Sequence, residues 1–95
     1  KHAVVGITRT AAVENGARGI RVNAVCPGPI ESSMMQTLED GWGGEQARAS
    51  VLRAIPTGRY GTVDEVAATA AFLLSPEASL SNGATYVLDG GQTAS

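Results

Sequence analysis

Ile20-Arg21-Val22-Asn23-Ala24-Val25-Cys26-Pro27-Gly28-Pro29 decides the fold. Apolar residues dominate positions 20–26, and Ile and Val favour the pleat, so this stretch is predicted as a β-strand. Pro27-Gly28-Pro29 ends it sharply, because proline cannot donate to a ladder. A second strand is expected at Thr85–Leu88, closed by Asp89-Gly90-Gly91, with Asp89 as a turn residue. Between the two lies the strongest helical pattern, residues 63–74. Thr62 and Glu65 have the spacing of a capping box, in which each side chain satisfies the other's free backbone N–H. Val66, Ala70, Leu73 and Leu74 form its apolar face, and Ser75-Pro76 stops it. Strand, helix, strand over this length predicts a parallel pair.

Working outward, residues 1–15 read as a helix. Val4, Ile7 and Ala11 share one face, and Ala3, Val5, Ala12 and Val13 widen the apolar surface, as in a helix packed on several sides. Asn15-Gly16 is the expected stop. No Ser, Thr, Asp or Asn caps its start, so the pattern begins inside a helix. Residues 30–61 are less regular: short helices at Met34–Leu38 and Gln46–Ala54, joined through Gly41-Trp42-Gly43-Gly44 and punctuated by Pro56, Gly58 and Gly61. Such a segment is often a binding loop. The order is helix, strand, long loop, helix, strand. Two parallel strands need helices on their faces and neighbours at their edges, so the chain reads as one end of a larger doubly wound sheet, or as one completed by oligomerising.

The 95 residues allow one domain. With 43% hydrophobic and 17% charged residues the chain can bury a core. A net charge of −2, with scattered Lys and Arg, argues against nucleic acid as a partner. Cys26 has no second cysteine to pair with and reads as a small buried hydrophobe, which fits a reducing, cytoplasmic setting. One Cys and one His make a Cys/His metal site implausible, and His2 reads as a helix-surface residue. No apolar run reaches the roughly 20 residues of a membrane helix, and no signal peptide is visible. Asp64 and Glu65 read as acidic residues favoured at a helix start rather than as acid–base groups.

Four stretches together resemble the short-chain dehydrogenase/reductase family. Lys1 to Arg9 is similar to the end of its Tyr-x-x-x-Lys motif and the helix that carries it. Arg21 to Ile30 resembles the strand and Pro-Gly turn beside the nicotinamide. Arg59 to Ala67 resembles the link into the penultimate helix, and Asn82 to Gly91 the final strand. The resemblance is closest to the broad group that holds the 3-oxoacyl carrier-protein reductases and generic alcohol or sugar dehydrogenases. It implies an α/β fold, the C-terminal part of a Rossmann-like doubly wound parallel sheet. Residues 1–95 are then the C-terminal segment of one such domain, with 31–61 as a substrate lid.

The resemblance also implies an oxidoreductase that moves hydride between NAD or NADP and a small-molecule carbonyl or alcohol, assembled as a homo-oligomer, a dimer or tetramer. Lys1 would contact the nicotinamide ribose and lower the pKa of the catalytic tyrosine, since a nearby cation favours tyrosinate. Pro27, Gly28, Pro29 and Ile30 would pass the nicotinamide, with Gly28 admitting close approach and the Ile30 peptide facing the carboxamide. Ser32, where the family usually has threonine, either bonds the cofactor or caps the next helix, and the two roles are compatible. Met34, Met35, Leu38 and Trp42 would lie on the substrate side; packing of Met34, Met35 and Trp42 onto the core is the plainer expectation. The family's Gly-rich turn and its catalytic Ser and Tyr precede Lys1, so the 95-residue chain is expected to be inactive alone. The competing reading is a non-catalytic oligomerisation or interaction module of the same fold.

Overall fold

The computed structural model describes residues 1–94. In chain order the elements are α1 (His2–Asn15), a 3₁₀ turn (Gly16–Arg18), β1 (Ala24–Pro27), α2 (Ser33–Gly41), α3 (Glu45–Arg53), α4 (Val63–Leu73), a second 3₁₀ turn (Pro76–Ala78) and β2 (Thr85–Leu88). β1 and β2 pair. The Ala24 N–H donates to the Ala84 carbonyl and the Gly28 N–H to that of Leu88, both at 2.9 Å. Donor and acceptor advance together, so the pair is parallel, as the connection length requires. Among the described residues, no helix is long and apolar enough to cross a membrane.

The chain divides into two compact units: Lys1–Cys26 with Ala67–Val87, and Pro27–Val66 with the residues from Leu88. In the first unit, Thr8 and Ala12 are the buried positions of α1. They lie four residues apart and so share a face. Val4 and Ile7, expected on the core side, are exposed. Small residues face inward because the bend before β2 approaches tightly: a Cβ on Gly83 would lie 3.3 Å from the Ala12 Cβ. Asn82 reinforces the contact by donating to the Ala12 carbonyl at 3.1 Å. The helix does not end at a left-handed Asn15 or Gly16. It tightens into the 3₁₀ turn, and the left-handed residue is Gly19, at φ 77°.

The strand predicted over 20–26 is shorter and later, Ala24–Pro27. Arg21–Asn23 are diverted by side-chain bonds. Arg21 donates to the carbonyls of Leu73, at 2.9 Å, and Ser81, at 3.3 Å, closing the C-terminal end of α4. The Val22 N–H goes to Asn82 Oδ1 at 2.9 Å, and Asn23 donates to the Ser81 carbonyl at 3.0 Å. Cys26 is half-buried rather than buried. Leu74 falls past the end of α4 and is exposed, so Leu73 carries the buried face.

In the second unit, 31–61 is more regular than expected. α2 and α3 are full helices of nine residues each, and Gly41 belongs to α2 rather than to the connection. Gly43 and Gly44 make the turn at φ 113° and 63°, where a Cβ is disfavoured. The capping box forms as predicted: Thr62 N–H to Glu65 Oε1 at 2.9 Å, and Glu65 N–H to Thr62 Oγ1 at 3.1 Å.

Candidate functional site

The residues singled out for chemistry after β1 all belong to the second unit, whereas Lys1 lies in the first. Lys1 is exposed at the start of α1, and its carbonyl accepts from the Val5 N–H at 3.1 Å. Its ammonium group takes no hydrogen bond or ion pair among the described residues.

Beyond β1, Pro27 to Ser32 is held on two sides. On one side it meets the turn after β2. A Cβ on Gly28 would lie 2.6 Å from the Asp89 Cβ and 2.9 Å from its Cα. Asp89 folds its carboxylate back onto the Gly91 N–H at 3.0 Å and onto Thr93, the turn role predicted for it. On the other side, Ile30 forms an isolated parallel bridge with Gly61. The Gly61 N–H donates to the Pro29 carbonyl at 3.0 Å, and the Glu31 N–H to the Gly61 carbonyl at 2.9 Å. This pattern uses the groups flanking Ile30. Its own N–H and C=O point away from the bridge and meet no protein partner among the described residues. One residue thus presents a donor and an acceptor side by side, the complement of a primary carboxamide.

Ser32 is the N-cap of α2, accepting from the Met35 N–H at 3.1 Å. An accepting hydroxyl still has its own O–H to donate, so capping and ligand contact are chemically compatible. Met34, Leu38 and Trp42 follow at four-residue intervals from α2 onto its C-cap. The expected packing onto the core fails for two of them: Met34 is 72% and Trp42 64% exposed. Met35 is half-buried.

Sequence reasoning missed the polar cluster beneath this segment. Arg48 on α3 grips Glu31 with both nitrogens, at 2.6 and 2.9 Å. It also reaches Glu39 on α2 at 3.4 Å, and its guanidinium stands 4.3 Å from the centre of the Tyr60 ring. Glu39 and Tyr60 are only 5% and 3% exposed. The Arg48 fork holds the Glu31 carboxyl below its usual range. Burial, and then the Glu39 charge, push the Tyr60 hydroxyl up. Among the described residues that hydroxyl is enclosed with no partner at hydrogen-bond distance. The one available signal was Glu39, a charged residue amid the apolar positions of α2.

A second pair ties Arg59 to Glu65 at 2.7 and 2.8 Å. Those bonds, with the Thr62 N–H, lower the Glu65 carboxyl to about 2. A carboxylate shifted down stabilises the fold fully above its ordinary value of 4.5, and the contribution disappears as pH falls toward 2. Acid titration followed by thermal melting should therefore show a smaller loss between pH 5 and pH 2 in Glu65→Gln than in the unmodified chain. An equal loss in both would remove Glu65 as a cause.

The sequence profile of the enoyl-(acyl carrier protein) reductase family matches residues 1–93. A probable 2,4-dienoyl-CoA reductase from Bacillus subtilis is 50% identical over 93 residues, covering 97% of this chain and 36% of that protein. The short-chain dehydrogenase virB of Hypocrea virens is 46% identical over 93 residues, covering 98% and 36%. The chain thus spans about a third of the length of these relatives. A putative 2-deoxy-D-gluconate 3-dehydrogenase from Agrobacterium tumefaciens, solved with bound NADP, superposes with a TM-score of 0.90 at 37% identity, over 99% of this chain and 37% of that one. These likenesses span several named reductases and dehydrogenases and do not single out the 3-oxoacyl carrier-protein reductases. The fold is a partial Rossmann-like α/β arrangement with a parallel sheet, and the chain belongs to the short-chain dehydrogenase/reductase family.

Proposed function

We propose that this chain is the nicotinamide-side portion of an NAD(P)-dependent oxidoreductase acting on a small carbonyl or alcohol. The observation that carries the reading is the Ile30 peptide, whose N–H and C=O meet no partner among the described residues while the bridge to Gly61 holds the backbone around them. When bound, nicotinamide gives or accepts the hydride. The Ile30 N–H donates to the carboxamide oxygen and the Ile30 C=O accepts from its amide. Pro27, Gly28 and Pro29 form the wall beside the ring, and Ser32 donates its remaining O–H to the carboxamide or a phosphate. Lys1 donates to the ribose hydroxyls and, as a cation, favours the ionised form of a tyrosine outside this chain. Residues 31–61 serve as the lid, with Met34, Met35, Leu38 and Trp42 toward substrate. In the relatives' named reactions the 95 residues are a third of the catalyst, so the chain alone is inactive on this reading.

A second reading keeps one observation of its own. Val4 and Ile7 leave an apolar surface on α1, which suits a homo-oligomeric contact and, if the chain acts by itself, a non-catalytic interaction module. The native protein decides between the two through its intact mass, its N-terminal sequence and its binding of NADH and NADPH. A longer protein with Tyr four residues before Lys1 that binds either dinucleotide supports the oxidoreductase. A native protein that starts at Lys1 and binds neither overturns it in favour of the module.

A further inference from the structure

We infer that Arg48 is a positioning residue for the nicotinamide carboxamide, holding the Ile30 peptide in register by clamping both sides of the bridge beneath it. The inference rests on the cofactor reading of Ile30 given above. Among the described residues Arg48 makes no hydrogen bond to either bridge residue. It grips Glu31, one residue beyond Ile30, through two charge-assisted bonds, and it lies against the ring of Tyr60, one residue before Gly61. An isolated bridge has two hydrogen bonds and no ladder to extend it, so its geometry depends on what holds its flanks. Tyr60 is anchored by burial, and its carbonyl accepts from Arg59 at 3.0 Å. Glu39 supplies the third point, a buried carboxylate that keeps the guanidinium directed inward from α3. Lysine cannot reproduce this. One ammonium cannot hold two carboxylate oxygens in a planar fork while stacking on a ring.

The test separates the carboxamide from the rest of the dinucleotide. NADH, NADPH and ADP-ribose, which lacks nicotinamide, are titrated against the native protein and against Arg48→Met, Arg48→Lys and Glu31→Gln. Loss of carboxamide positioning should weaken NADH or NADPH binding about tenfold in Arg48→Met, the size of one well-placed hydrogen bond. ADP-ribose affinity should stay within about twofold, since the same loss cannot reach it. Arg48→Lys should recover only part, and Glu31→Gln should follow Arg48→Met with little change in melting temperature. Should Arg48→Met fail to fold, Glu31→Gln alone carries the comparison, because both its side-chain contacts are at the surface of the clamp. Equal weakening of all three ligands, or of none, overturns the positioning role while leaving the cofactor reading intact. An unmodified protein that binds neither dinucleotide overturns the cofactor reading, and the role of Arg48 with it.

Discussion

Lys1→Met in the native protein should lower kcat by about 10²–10⁴-fold, the usual contribution of a group that tunes acid–base catalysis. On the oxidoreductase reading, the tyrosine that Lys1 would serve should ionise at higher pH without the cation, so the rising limb of the pH–rate profile should move to the alkaline side as the maximum falls. The fold should not notice. Lys1 is exposed, and what it gives α1 is a backbone carbonyl accepting from Val5, which every residue type retains. Steady-state reduction of NAD or NADP by an alcohol substrate, the direction in which tyrosinate acts as the base, measured across pH and paired with thermal melts, is the measurement. A kcat within about twofold of the unmodified protein, at any pH, would remove Lys1 from the chemistry.

Gly28→Ala should destabilise the second unit by about 1–3 kcal/mol through overpacking. The new Cβ would stand 2.6 Å from the Asp89 Cβ and 2.9 Å from its Cα, so it meets backbone rather than a side chain that can swing aside. Asp89 is itself held by its bonds to Gly91 and Thr93. Relief would have to come from separating the ends of β1 and β2, where the Gly28 N–H reaches Leu88. Gly61→Ala is the internal comparison. Its Cβ would meet the tip of the Ile30 side chain at 2.9 Å, a group with rotamers to spare. Urea unfolding of both variants should rank Gly28→Ala well below Gly61→Ala. The reverse order would mean that the β1–β2 ends yield more easily than the Ile30 side chain.

Which features could be read in the sequence depended on how far apart their partners lie along it. The capping box of α4 needs only Thr62 and Glu65, three residues apart, and it forms as expected. So does the Asp89 turn, closed within four residues. The strand at Thr85–Leu88 was legible for a similar reason, a short β-branched and aromatic run bounded by glycines. The face of α1 was not. Periodicity finds apolar stripes, but Val4 and Ile7 turn outward because the inward side must be small enough for Gly83 to approach. Residues 20–23 have strand composition, yet Arg21 and Asn23 bond to carbonyls more than fifty residues away.

The site divides along the same line. The proline–glycine exit from β1, the N-cap at Ser32 and the motif-like Lys1 are properties of local sequence, so the sequence determined where the candidate chemistry lies. That Gly28 must be glycine because Asp89 presses on it was decided by contacts across some sixty residues. The orientation of the Ile30 peptide was decided by a contact about thirty residues away, where Gly61 takes the groups on either side of it. The Arg48 clamp joins α3 to Glu31, Glu39 and Tyr60 through side chains with no shared periodicity. Sequence by itself determined the elements, their order and the family, because caps, turns and hydrophobic runs are short-range preferences of the chain. Tertiary structure alone decided register, exposure and which polar groups are left unpaired, because each of these depends on which distant segment arrives and how closely.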